Sequence, residues 1–500
     1  MVGPAGVRRR RVARVALLVA VLLGPVAGCG SSLDPQDVAG LDGGGVQTAG
    51  DGGAGDATDD GLGAAPAAPG DGADGGPAPV APDGSDGPGA APAAPGSAPD
   101  DGAGGGGDAS APPAVDPDRA GDCTGFRNGP GITDDTITIG NSSDISGPVP
   151  GLFEASRDAT AAFVAYFNAA NPEGICGRRL VLRTYDSRTD AAADQQAYAA
   201  ACGEVFAMVG SMSAFNSGGA KTAEECGLPD IRSANVTPER NDCATCFGAQ
   251  STRTGEVANA TADFILEQYG DTAKRSAFLY VNAGAAAANA PRQAKAFEKR
   301  GLDFEVVRGI ETSEFNYTPY VQELKDEDIK TVFFTGATSM SVRLRQTMQQ
   351  QGYEPVVYMR EPTDYNRTYV ETGGSAVDGT VIYTNFTPFE EAGRNPELSL
   401  YLSYLEQVRP GAEPGFFGVF SWSAARLFVE KATALGGRLT RASLVSALRA
   451  TTSWTANGLH SPQRPGPHRT GECFRFLRLD GRTWRPFGGT AYRCDGTSFG

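Results

Sequence analysis

Short apolar runs rich in β-branched and aromatic residues alternate, along most of this 500-residue chain, with longer stretches whose apolar positions recur every three to four residues. The first rhythm suits buried strands and the second suits helices packed by one face. Strands are predicted over 136–140, 180–185, 205–210, 229–232 and 246–250, and again over 276–281, 304–310, 331–336, 355–359 and 380–385. Between them, 154–169 presents an apolar face of alanines with Phe163, Val164 and Phe167, and 291–300 and 340–351 continue the alternation. Strand–helix repetition of this kind builds parallel sheets covered on both faces. Two such series, in a body too large for one ordinary core, predict an α/β fold of two Rossmann-like lobes. Helices over 416–435 and 441–449 follow, then a hairpin of 474–479 and 483–487 about Asp480-Gly481.

The rhythm is missing upstream. Residues 30–118 are mostly Gly, Ala, Pro and Asp, with sixteen Asp and no Lys or Arg. So little apolar surface cannot offset chain entropy, and the composition predicts a disordered spacer. Those sixteen aspartates equal the net charge of the whole chain, −16. With the five arginines of the N-terminal segment set aside, the body from 119 onward carries about −5 and is only mildly acidic. It shows no Lys/Arg-rich stripe, and a nucleic-acid partner is not expected. Before the spacer, Arg8-Arg9-Arg10-Arg11 and Arg14 precede an apolar run at 15–23 and then Val26-Ala27-Gly28-Cys29. This order is that of a secretory signal, and the apolar run is short for a membrane span. The segment V-A-G-C resembles a bacterial lipobox. The resemblance implies that 1–28 is a signal peptide and that Cys29 carries lipid. The remainder would then work on the outer face of the cell membrane.

Nine cysteines are an odd number for an exported chain. With Cys29 as the lipid carrier, eight remain, and four disulfides suit an oxidising compartment. Spacing alone does not give the pairing. Catalytic signals are sparse. The two histidines, His460 and His468, sit in one Pro-rich loop, a poor place for the rigidly held imidazole of a catalytic or zinc site. Cys243-Ala244-Thr245-Cys246 lacks the strand-to-helix context of a redox motif and reads as a local disulfide. No phosphate-binding or nucleophile-elbow motif follows a strand and opens a helix. Neither an enzyme nor a cofactor or metal is expected.

Several segments occur in a telling order. Ile132-Thr133-Asp134-Asp135-Thr136-Ile137-Thr138-Ile139-Gly140 is followed by Asp144-Ile145-Ser146-Gly147-Pro148-Val149, then by a long helix carrying Asn168. Tyr185-Asp186-Ser187, Val209-Gly210-Ser211-Met212-Ser213, Thr237-Pro238-Glu239 and the stretch 311–321 come next. This order resembles type 1 periplasmic solute-binding proteins, the leucine/isoleucine/valine-binding group of ABC importers, over about 131–490. The resemblance implies two lobes joined by a three-crossing hinge near 251–254, 385–388 and 459–471. Lobe 1 would hold about 121–252 and 386–458, and lobe 2 about 253–385 and 472–500. It also implies pairs Cys123–Cys176, Cys202–Cys226, Cys243–Cys246 and Cys473–Cys494. The function implied is capture of a small polar solute, an amino acid or related compound, by a monomer that delivers it to a membrane permease. An anchored sensor signalling to a membrane partner is the alternative.

The carboxyl ends of strands in open α/β sheets face the ligand crevice. That places candidate contacts at Ser213, Ala214, Phe215, Asn216, Ala234, Asn235 and Thr237 in the first lobe, and at Asn282, Thr338 and Glu361 in the second. Backbone N–H groups around Ser213 and Asn216, near a predicted helix start, suit a carboxylate. By the resemblance, Glu361 pairs with a ligand amine. The chain departs from the family at Phe215, a bulky insertion among small polar residues. It also departs at Asn282-Ala283-Gly284-Ala285-Ala286-Ala287-Ala288, which lacks the usual charge and aromatic. These departures leave room for a larger or less zwitterionic solute. Phe416 and Phe417 are read chiefly as core.

Overall fold

The computed structural model describes residues 120–500, all within the second of the chain's two units, Gly102–Gly500. The signal segment, Cys29 and the Asp-rich stretch lie outside the described residues.

The first lobe is built on five parallel strands, β1 (Thr136–Ser143), β2 (Arg179–Asp186), β3 (Ala207–Val209), β4 (Asp230–Ala234) and β5 (Cys246–Gln250), in spatial order β2-β1-β3-β4-β5. Helices α1 (Glu154–Ala170), α2 (Ala191–Glu204), α3 (Ala220–Glu225) and α4 (Pro238–Asp242) connect them. The second lobe starts with a short strand, β6 (Glu256–Ala258), and helix α5 (Asn259–Tyr269). Its main sheet has five parallel strands, β7 (Arg275–Val281), β8 (Asp303–Ile310), β9 (Thr331–Thr335), β10 (Val357–Arg360) and β11 (Val381–Thr384). Helices α6 (Gly284–Glu298), α7 (Thr318–Asp326), α8 (Thr338–Gln350) and α9 (Arg367–Gly373) join them. The chain then returns to pack α10 (Pro396–Val408), α11 (Phe416–Leu435) and α12 (Arg441–Arg449) on the first lobe. It finishes on the second sheet with antiparallel β12 (Cys473–Asp480), β13 (Thr483–Phe487) and β14 (Arg493–Cys494). The last strand, β15 (Thr497–Phe499), pairs with β6.

Strand alternation sets the second lobe's two layers. On β7, Phe278 faces the layer under α5 and α6, where it joins Phe297, Phe333 and Met359. Ala277, Leu279 and Val281 face α7 and α8 with Val332 and Phe334. In the first lobe, Trp422 of α11 is fully buried against Phe163 and Tyr166 of α1. Four disulfides join Cys123–Cys176, Cys202–Cys226, Cys243–Cys246 and Cys473–Cys494.

The chain passes between the two sheets over 251–255, 385–388 and 450–472. Hydrogen bonds tie these crossings together. The Ser461 N–H donates to the Asn385 carbonyl (2.8 Å), Thr387 N–H to Leu459 (2.9 Å) and Gly471 N–H to Ser251 (3.1 Å). Buried Gln463 accepts from the Ser251 N–H at 3.1 Å and donates to the Ser461 carbonyl at 3.0 Å.

Two readings of the sequence are corrected. The helix expected to start at Pro291 begins at Gly284 and runs through the proline. Four consecutive alanines, strong helix formers, extend it upstream, where an N-terminal proline had been the natural first turn. The Pro-rich loop expected to hold its histidines loosely does the opposite for His460. The imidazole is buried and stacked on Phe420. Its Nδ1–H donates to the Ser461 carbonyl at 2.9 Å, which leaves Nε2 to accept from Ser423 Oγ at 2.8 Å. Burial pushes its pKa down to about 4.

Candidate interlobe binding cleft

The site is assembled from strand ends. Asp144, just beyond β1, is buried and accepts from Ser187 Oγ (2.6 Å), Thr189 N–H (3.0 Å) and Ala214 N–H (2.8 Å). Burial raises its pKa, while these donors favour its charged form. Met212 N–H donates to the Ser142 carbonyl at 3.0 Å. The loop after β3 is thereby clamped to the end of β1, and Ala214 and Phe215 project into a cleft of about 780 Å³. The cleft lies beside the hinge and is lined from both lobes. Its walls are mainly carbon: Phe153, Met212, Phe215 and Phe417 on one side, and Phe278, Phe333 and Met359 on the other. Phe416 and Phe417, read chiefly as core, do pack in or against the first-lobe core, and with ring centroids 4.7 Å apart they also border the cleft.

Polar bonds cross from lobe to lobe at several places, among them Arg475 to Glu391, Thr368 to Glu413 and two beside the cleft. Ala285 N–H donates to the Ala214 carbonyl at 2.9 Å, and Asn289 Nδ2 donates to the Val236 carbonyl at 2.7 Å.

Of the candidate contacts, Ala214, Phe215 and Glu361 line the cleft. Ser213 is buried beneath it, and its Oγ accepts the Phe215 N–H at 3.1 Å. The N–H groups of Ala214 and Phe215, expected to meet a ligand carboxylate, are therefore already engaged by Asp144 and Ser213. No helix starts there, because α3 begins only at Ala220. Asn216 accepts from Thr237 Oγ1 at 2.8 Å, and both are buried away from the lining. Asn235 donates to the Cys246 carbonyl at 3.2 Å, and Ala234 packs with Phe153 and Met212. Asn282 is exposed and donates to Glu311 at 2.7 Å. Thr338 is the first residue of α8, between the lining residues Ala337 and Ser339.

The charged groups on the cleft are mostly compensated. Arg360 is buried and paired with Asp364 at 2.5 Å. Glu256 takes Arg469 and the Thr470 N–H. Arg343 donates to the Glu314 carbonyl at 3.3 Å and lies over Phe315. Glu361 accepts from the Gly336 N–H at 3.3 Å, and burial holds its carboxyl above the ordinary range despite nearby Arg360. Arg253, in the first hinge crossing, differs. It lines the cleft, and its guanidinium makes no ion pair or side-chain hydrogen bond among the described residues. Arg253 and the inward aromatics of the second sheet were not singled out from the sequence. Phe278, Phe333 and Met359 sit at alternate strand positions that read as ordinary core. Among the described residues no group of His, Cys, Asp and Glu could hold a metal ion, and no helix is long and apolar enough to cross a membrane.

A largely carbon-lined cleft at a hinge suits non-covalent capture of a small molecule. Comparison with known proteins agrees in fold. A fatty acid ABC transporter substrate-binding protein from Thermomonospora curvata superposes with a TM-score of 0.61 at 18% identity, covering 74% of this chain and 94% of that one. A branched-chain amino acid ABC transporter protein from Thermus thermophilus with bound valine gives 0.60 at 16%, covering 72% and 97%. A solute-binding protein from R. palustris in complex with 4-hydroxybenzoate gives 0.58 at 16%, covering 73% and 97%. No curated protein matches in sequence. The periplasmic binding protein family profile matches residues 136–483, well over half of the chain, and with two parallel sheets facing one hinged cleft this chain belongs to that family.

Proposed function

We propose that this chain is the extracytoplasmic substrate-binding lipoprotein of an ABC importer. It captures a small solute between its lobes and presents it to a membrane permease, with no covalent chemistry. Cys29 carries the lipid, and the Asp-rich stretch spaces the binding unit from the membrane. The observation that carries the reading is the carbon-walled cleft at the hinge, bordered by a few fixed polar groups. The relatives support it: fatty acid, valine and 4-hydroxybenzoate each combine a carboxylate with an apolar body. For this chain the balance shifts toward the apolar body, because the amides nearest the expected carboxylate position are engaged within the protein. Glu361 borders the solute on the second lobe.

A thermal-shift panel of amino acids, aromatic acids and aliphatic carboxylates tests this. A ligand that binds only the folded state, at about a hundredfold excess over Kd, raises stability by about 2.7 kcal/mol. A shift with any of these classes supports solute capture. Silence across the panel contradicts it.

A further inference from the structure

We infer that the solute is a single-chain aliphatic carboxylate, its tail inserted between the second sheet and helices α5 and α6 and its head group held by Arg253. The inference rests on the binding-protein reading above and specifies its ligand.

Three observations lead to it. First, the cleft does not stop at the strand ends. Its lining includes Phe278, Phe297, Phe333, Met359 and Tyr383, which belong to the core layer beneath α5 and α6. It also takes in Val257, Ala258 and Thr261, where β6 runs into α5. A compact amino acid has no use for such depth, whereas a flexible alkyl chain fills it. Second, the size fits. At roughly 30 Å³ per methylene, about the share of a water molecule, a chain of about sixteen carbons needs about 500 Å³. The cleft offers about 780 Å³. Third, the other charges on the lining have partners inside the protein, and Arg253 has none among the described residues. An uncompensated cation beside an apolar cavity favours an anionic head group. Gln250, Ser251 and Thr252 beside it line the same cleft, but the Ser251 and Thr252 hydroxyls already donate to Gln463 and Asn235, which leaves the charge to Arg253.

The test is a calorimetric titration of the purified protein with straight-chain carboxylates of about four to about sixteen carbons and with the matching alkanols. Wild type and Arg253→Gln are compared. Affinity for the carboxylates is expected to rise roughly fourfold per added methylene until the sleeve is full. Arg253→Gln is expected to weaken carboxylate binding about tenfold or more, and to weaken alkanol binding far less. An affinity independent of chain length overturns the tail assignment. Equal losses for carboxylate and alkanol overturn the role of Arg253. If amino acids or aromatic acids bind while the aliphatic series does not, this inference falls and the binding-protein reading stands. If nothing binds, both fall.

Discussion

The backbone N–H of Ala285, on the second lobe, donates to the carbonyl of Ala214, on the first, across 2.9 Å. The bond joins the two segments where the chain departs most from its family's pattern. The alanine run after β7 has no charge or aromatic to offer a ligand, and its role is to bring α6 against the opposite lobe. Gly284 makes the approach possible. Its φ is +50°, and a Cβ there would lie 2.5 Å from the Ala214 carbonyl oxygen.

Gly284→Ala should therefore hold the lobes apart. A side chain at positive φ is strained, and the added carbon collides with fixed backbone. We expect ligand affinity to fall about tenfold, equivalent to about 1.4 kcal/mol, with a near-native melting profile for the unliganded protein. Titration calorimetry checks it. Unchanged affinity would mean that the contact plays no part in capture.

Glu361 is expected to cost stability where it stands. Burial raises its pKa above the ordinary 4.5, so the unfolded chain releases the proton first as pH rises. Above that point the folded state binds more protons than the unfolded one, and stability falls as pH increases toward the folded pKa. Glu361→Gln removes this titration. We expect the variant to melt higher than wild type at pH near 7, with the gap closing near pH 4. A wild type that melts higher at neutral pH would contradict this. A destabilising carboxyl kept on the cleft wall is what a binding role predicts.

His460 gives the opposite slope. Its pKa drops from 6.5 to about 4 on burial in the hinge. Between those values the unfolded chain holds a proton that the folded chain lacks, so stability declines as pH falls through that window. The full effect is about 3 kcal/mol at about 1.4 kcal/mol per pH unit. His460→Gln, followed by chemical denaturation across the window, should show a flatter profile than wild type. Parallel profiles would remove His460 as the source.

Cys29→Ser should move the exported protein from the membrane fraction to the soluble fraction, because a lipid chain is the proposed attachment. Fractionation with and without detergent reads this directly. Continued dependence on detergent would refute anchoring at Cys29.

The architecture was legible because its signals are local. Runs such as Thr136–Ser143 and Arg275–Val281 carry the strand pattern, and α11 and α12 occupy the stretches predicted from helical spacing. The family could be read from the order of short segments, each beside a strand end. The binding site was legible only in part. Glu361 and Phe215 sit at strand-end loops, and those loops reach the cleft. The fate of the Ala214 and Phe215 amides was not legible, because their acceptors, Asp144 and Ser213, are chosen by how one loop folds back on β1.

The sequence by itself determined two α/β lobes and the separation of an Asp-rich stretch from a mildly acidic body. Each of these is a matter of periodicity or composition within one stretch of chain. Only the tertiary structure decided which core-like aromatics, Phe278 and Phe333 among them, border open space, which charges find partners, and that a Pro-rich loop clamps His460. Those outcomes depend on residues hundreds of positions apart meeting across the hinge, as Ser251 and Gln463 do, and no local pattern encodes such a meeting.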